Sequence, residues 1–223
     1  MIKLKFGKGN GKMQKLAGYL GIPKSHILTF DVPAGYTCAK ANICKSYANR
    51  YTGKVTMVGT VLCYAAKSER YLPSVRRGRW FNYMALLGLG NDVKAIAEAI
   101  IANIAKQTEI VRIHSSGEFY SKAYFEAWVM VAKALPQIQF FGYTKHLEYA
   151  LADKPNNFVL QYSFGGLDDD LYKTMIAEGR VIPTCKIGEY ENQYPEKVVC
   201  GKDGEHEDYF AILNRESFVI MAH

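Results

Sequence analysis

Apolar and polar positions follow two distinct periods along the second half of the chain. Residues 93–106 (VKAIAEAIIANIAK) place apolar side chains at helical spacing, and an apolar run of strand length follows at 110–114. Ser121 then opens a second helical stretch, 121–135, with Phe125, Trp128, Val129 and Ala132 on one face. IQFFGY at 138–143 and NFVLQY at 157–162 are two more strand-like runs, separated by a short helix predicted over 145–152. A further helix is expected over 167–178. Strands alternating with helices through short connections predict an α/β fold whose sheet is parallel and whose crossovers are right-handed. Too few strands are visible for a closed barrel, so the expected architecture is a partial (β/α) barrel or an open parallel sheet.

No composition break marks a second folded unit, and 223 residues are ample for one core. The reading is one α/β domain over 1–223. It comprises a basic, cysteine-containing segment at 1–90, βα repeats at 91–180 and a C-terminal appendage at 181–223. Hydrophobic residues make up 49% and charged ones 22%, as in a globular protein with an apolar core. No apolar run approaches the roughly 18–20 residues of a membrane span, so no membrane partner is expected. MIKLKFGKGNGK lacks the apolar stretch of a signal peptide, which points to a reducing, cytoplasmic setting. Five cysteines there are better read as thiols or metal ligands than as disulfides.

Charge is unevenly spread. Residues 1–80 hold 15 Lys/Arg against only Asp31 and Glu69, a net of +13, whereas residues 81–223 hold 13 against 19, a net of −6. A half this basic attracts polyanions, because each cation placed on a phosphate releases condensed counterions. Arg76, Arg77 and Arg79, followed by Trp80, interleave cations with aromatics in the manner suited to phosphate contact and base stacking. They are the candidate nucleic-acid contacts, against the alternative of a solvated basic face.

The predicted strands end in polar residues. The first gives His114, Ser115, Ser116, Gly117 and Glu118; the second Tyr143, Thr144, Lys145 and His146; the third Gln161, Tyr162 and Ser163. In a parallel sheet these ends converge on one edge, where reactive groups gather. Glu118 or His114 is the natural general base, with Ser116 and Tyr143 beside it. Lys145 is placed to stabilise negative charge. Gly165 and Gly166 would let backbone N–H groups approach an anion. The competing reading is a set of helix caps.

Cys38, Cys44 and Cys63 supply a second chemistry. Three thiolates in a basic, aromatic-rich segment suit a zinc ion, or three irons of an iron–sulfur cluster with the fourth open, and basic surroundings would favour the thiolate form. Paired C-x2-C spacings are absent, and buried apolar thiols are the alternative. Cys185 and Cys200, with His206 or His223, form another candidate donor set.

FDVPAGYTCAKANICKSYANR, CYAAKSERYLPSVRRGRW, RIHSSGEFYSKAYFEAW and FFGYTK, in this order, resemble the phage "gene product 88" family of uncharacterised proteins over residues 28–166, and His223 fits the family's ending. The resemblance implies a phage origin, a shared fold and the cytoplasm of an infected host cell; it does not imply a reaction. Where that family often carries further closely spaced cysteines, this chain reads CGKDGEHEDYF, with Cys200 alone. More distantly, the cysteine block resembles radical S-adenosylmethionine enzymes, partial barrels whose three cysteines hold a cluster. Their spacing is C-x3-C-x2-C, from which Cys38, Cys44 and Cys63 depart. Ser116-Gly117-Glu118-Phe119 and Gly165-Gly166-Leu167 are similar to segments of deazapurine transglycosylases, in which a carboxylate, here Glu118, attacks the sugar's anomeric carbon. The expected function is modification of nucleic acid or a nucleotide, with or without an iron–sulfur cluster. A nucleic-acid binder with structural zinc is the non-enzymatic alternative.

Overall fold

The computed structural model describes residues 2–9, 11–177, 184–187, 198–200 and 218–220. Its centre is a mixed, mostly parallel sheet. β1 (Phe6–Gly7) runs antiparallel to β2 (Ile27–Phe30), and β2 pairs in parallel with β5 (Ile110–Ile113). β6 (Gln139–Thr144), β7 (Phe158–Ser163) and β8 (Thr184–Ile187) continue in parallel, followed by β10 (Phe218–Ile220) and β9 (Val198–Cys200). The resulting order is β1-β2-β5-β6-β7-β8-β10-β9. Every residue of β2 and β5 is buried, which is why these strands read as solid apolar runs rather than alternating ones.

Helices cover both faces. α4 (Val93–Ile101) starts at Asp92, whose carboxylate accepts from Ala95 N at 2.9 Å, and α5 (Lys122–Ala134) starts at Ser121, whose hydroxyl accepts from Tyr124 N at 3.2 Å. Ile96, Ile100, Tyr124, Phe125, Trp128 and Val131 of these helices pack on Leu28, Phe30, Val111, Ile113, Phe140 and Phe158. On the opposite face α1 (Gly11–Leu20) sets Met13, Leu16 and Ala17 against Ile27, Ile110, Phe141 and Val159. α6 (Leu147–Leu151) links β6 to β7, and α7 (Asp169–Ala177) follows β7.

The βα rhythm after residue 91 is as the periodicity predicts. Within residues 1–90, β1 and β2 belong to the same sheet and β2 seats directly on β5. The remainder of that segment enters between β2 and α4. It forms the hairpin of β3 (Ser46–Ala48) and β4 (Val55–Met57), then α2 (Tyr64–Tyr71) and α3 (Pro73–Leu87). Among the described residues, no helix is long and apolar enough to cross a membrane. Of the second donor set, the backbones of Cys185 and Cys200 flank β10, in register with Phe218 and Ile220, while His206 and His223 lie outside the described residues.

Candidate functional site

Because β2, β5, β6 and β7 are parallel, their carboxyl ends share one edge. The turn after β5 is held there by Asp31, the first residue beyond β2. Its Oδ1 accepts from Ser115 N at 2.7 Å and from Ser116 N at 3.0 Å. Gly117 has φ +81°, and a Cβ at this position would stand 2.4 Å from Val32 Cγ2 and 2.6 Å from Val32 O. Only glycine lets the turn pass this close to the β2 exit. Tyr64 of α2 donates its hydroxyl to Ser115 O, so the added helical segment is tied to the same turn.

Glu118 ends that turn, and both oxygens of its carboxylate are hydrogen-bonded at this edge. Oε1 accepts from Phe119 N at 3.0 Å and Oε2 from Lys145 N at 2.8 Å, while Thr37 Oγ1 accepts from Glu118 N at 3.1 Å. The side chain is buried. Burial, opposed by the Phe119 and Lys145 N–H groups, the Thr144 hydroxyl and the Lys145 charge, pushes its pKa from 4.5 to about 7. A carboxyl poised there exchanges a proton readily at neutral pH.

The other predicted residues divide sharply. Lys145 reaches the same edge, but its ammonium donates to Ser163 O at 3.2 Å, Ser163 Oγ at 3.3 Å and Phe164 O at 2.5 Å, and so clamps the end of β7. Ser116 Oγ donates to Val32 O at 3.1 Å and sits 3.3 Å from Glu69 Oε1, a bracing position rather than an open one. His114 points into the core. Its Nε2 is 2.8 Å from Tyr124 OH, its ring lies against Phe119, and burial lowers its pKa to about 3. The imidazole is therefore neutral at physiological pH but only weakly basic, and it faces Tyr124 and Phe119. Tyr143 lies on the α1 face of the sheet beneath the Arg112 guanidinium, 5.6 Å from ring centroid to Cζ.

Two of the predicted phosphate contacts are internal. Arg76 donates to Arg50 O, Glu69 O and Tyr51 O at 3.1, 2.5 and 3.1 Å. Arg79 Nη1 lies 3.0 Å from each of Ala65 O, Ser68 Oγ and Glu69 Oε1. Both are buried, and their charge is committed to carbonyls and to a carboxylate that is fully inaccessible to solvent. They brace α2 and α3 and are not available to a polyanion. Arg77 is exposed, and Trp80 is half-buried between Tyr36, Tyr83 and Arg50.

Cys38, Cys44 and Cys63 are all free thiols and half-buried. Glu118, Cys63 and Cys44 all disfavour ionisation of Cys38, and Cys44 disfavours that of Cys63. Burial is the larger effect. It pushes the Cys38 and Cys63 thiols up, opposite to the expected thiolate-favouring influence of the basic surroundings. Their loop closes on the tip of β7, where Asn42 N and Ile43 N donate to Gly165 O at 3.1 and 3.2 Å and Lys40 Nζ meets Asp168 Oδ1 at 2.8 Å. The Gly165 and Gly166 N–H groups point to the Asp169 carboxylate at 2.9 and 3.2 Å, so the expected anion cradle is filled from within. Among the described residues, no group of three or more His, Cys, Asp or Glu side chains is arranged to hold a metal ion.

Sequence reasoning missed Asp31, Thr37 and Glu69. ILTF followed by Asp31 carries the same signal as the apolar run that ends at His114, an apolar run closed by a polar residue. Glu69 had no local signal, since its partners Ala34, Arg79 and Ser116 are distant in the chain.

The family model for "Gene product 88" matches residues 3–217, and the chain belongs to that family. It is 24% identical over 207 residues to the "Gene 88 protein" of Mycobacterium phage D29, covering 86% of this chain and 76% of that protein. It is also 24% identical over 166 residues to the "Gene 88 protein" of Mycobacterium phage L5, covering 70% of this chain and 60% of that one. No solved structure matches the chain.

Proposed function

We propose that this member of a phage protein family is an enzyme that modifies nucleic acid or a nucleotide in the infected host cell, with Glu118 transferring the proton. The observation that carries the reading is the buried Glu118 carboxyl, pushed to about 7 at the carboxyl edge of a parallel sheet. Groups tuned this way serve general acid–base catalysis, because both protonation states are populated at neutral pH. The same poise argues against nucleophilic attack on an anomeric carbon, which needs a carboxylate ionised well below neutrality. Proton transfer to or from a base is therefore preferred over glycosyl exchange. We read the run of parallel βα units as a partial barrel that presents this edge. The basic first eighty residues supply attraction for a phosphate-bearing substrate.

The test is the nucleoside composition, by mass spectrometry, of DNA and RNA from cells expressing the wild type or Glu118→Gln. A nucleoside that appears or disappears with the wild type and not with Glu118→Gln is expected. Identical profiles from both would overturn the proposal.

A second reading is favoured by the influence of Glu118, Cys63 and Cys44 on the Cys38 thiol and of Cys44 on Cys63. Cys38, Cys44 and Cys63 would hold an iron–sulfur cluster, or zinc. A cluster would supply one-electron chemistry beside Glu118, and S-adenosylmethionine would be its cosubstrate. Iron, zinc and acid-labile sulfide in anaerobically purified protein decide it. About three to four irons per chain, lost in Cys38→Ala, support the cluster, and metal-free protein removes both metals.

A further inference from the structure

The surface of the first eighty residues carries almost no exposed negative charge. Their only two acids are Glu69, fully buried against Arg79, and Asp31, which is spent on the Ser115 and Ser116 N–H groups. Around α2, α3 and the loop at 49–53 the exposed side chains include cations paired with aromatic rings, alongside Leu72, Met84 and Leu87. Arg50 lies over both Tyr51 and Trp80, at 5.6 and 5.2 Å to the ring centroids. Arg70 lies over Tyr71 at 5.3 Å, and Lys5 over Phe81 at 4.9 Å. Tyr51 is 80% exposed, Tyr71 63% and Phe81 41%, each with a cation over its ring.

The loop that carries Tyr51 is braced from within. Asn49 Oδ1 accepts from Tyr51 N and Thr52 N, both at 2.9 Å, and Arg76 grips the Arg50 and Tyr51 carbonyls from below. Gly53, at φ +73°, brings the loop so close that a Cβ would lie 2.4 Å from Arg76 Nη1. A preformed platform saves the ordering cost that a flexible one would bear on binding. Trp80 continues the row to Tyr36 at 4.8 Å, and Tyr36 neighbours Thr37, whose hydroxyl accepts from Glu118 N.

We infer that this face is a binding platform for single-stranded nucleic acid, with Tyr51, Tyr71 and Phe81 stacking bases and Arg50, Arg70, Arg77 and Lys54 meeting phosphates. Exposed rings paired with cations suit unpaired bases and their phosphates, whereas a duplex keeps its bases stacked on one another. The inference deepens the proposed function by naming its substrate class as a strand rather than a free nucleotide, and it rests on that reading only for what happens at Glu118.

The experiment is fluorescence anisotropy of the full chain with labelled dT20, rU20 and a 20-base-pair duplex, over a range of salt. Either single strand should bind better than the duplex, with a log–log salt slope of about −2 to −3 for three or four phosphate contacts. Tyr51→Ala and Tyr71→Ala should each weaken binding about tenfold. Arg50→Ala and Arg77→Ala should weaken it and flatten the slope, with the melting temperature unchanged because these side chains are exposed. Absence of binding, equal affinity for the duplex, indifference to the tyrosine variants, or equal displacement by polyglutamate would each overturn the inference. Binding is read without turnover, so a silent nucleoside profile with intact binding removes the chemistry alone. Altered nucleosides without strand binding remove the platform alone.

Discussion

Replacing Arg79 by methionine should destabilise the protein by about 3–5 kcal/mol at neutral pH, the range for removing one partner of a buried ion pair. The guanidinium supplies Ala65 O, Ser68 Oγ and Glu69 Oε1, each at 3.0 Å, and methionine fills similar volume without any donor. Glu69 would keep the Ala34 N–H at 3.0 Å and the Ser116 hydroxyl at 3.3 Å, but its second oxygen already has no partner. Burial holds its pKa above 4.5 even with Arg79 present, and losing the cation raises it further. A folded-state pKa above the unfolded one means that the native protein holds a proton the unfolded chain has released. Stability then falls as pH rises from 4.5 toward the folded value, by up to about 1.4 kcal/mol per pH unit. The gap between wild type and Arg79→Met should therefore widen as pH rises above 4.5. Urea unfolding at several pH values measures it, and adding Glu69→Gln to Arg79→Met should remove the extra slope and reveal coupling of 1 kcal/mol or more, roughly. A pH-independent loss below about 1 kcal/mol, with additive single changes, would refute a buried charge pair as the brace of α2 and α3.

Gly117→Ala forces a left-handed alanine into Val32, and should cost at least about 2 kcal/mol and several degrees in melting temperature; a melt within about 1 °C of wild type would contradict the close approach. Lys145→Met leaves Ser163 O and Phe164 O without their donor and should lower stability by about 1–3 kcal/mol, with faster amide exchange at the end of β7; unchanged exchange there would contradict the clamp. His114, held at about 3, should show no ring titration by NMR between pH 5 and 8, and the protein should lose stability as pH falls below 6.5, where the unfolded chain takes a proton the fold refuses. A ring titrating near 6.5 would place His114 at the open edge instead.

The βα half of the fold was legible because parallel strands covered on both faces leave solid apolar runs, and Ser121 announces its helix. Glu118 was legible for the same reason, as the carboxylate just past an apolar run. The first half was harder. β2 is only four residues, and its partner β5 lies some eighty residues away, so the pairing leaves no local trace. Arg76 and Arg79 illustrate the deeper difficulty. Their spacing on α3 beside Trp80 suits phosphate binding, yet the sites they satisfy are carbonyls of Arg50, Tyr51 and Ala65 and the Glu69 carboxylate. A basic cluster in sequence does not show which of its members face inward. Only the buried acid and the unpaired carbonyls decide that, and the fold alone brings them together.

The poise of Glu118 is the claim on which the chemistry stands, and it is most directly measured by an isotope-edited infrared titration of the glutamate carboxyls, with Glu118→Gln subtracted. One carboxylic acid band should convert to carboxylate at about 7. A difference spectrum in which the missing carboxyl titrates near its ordinary 4.5 would contradict it.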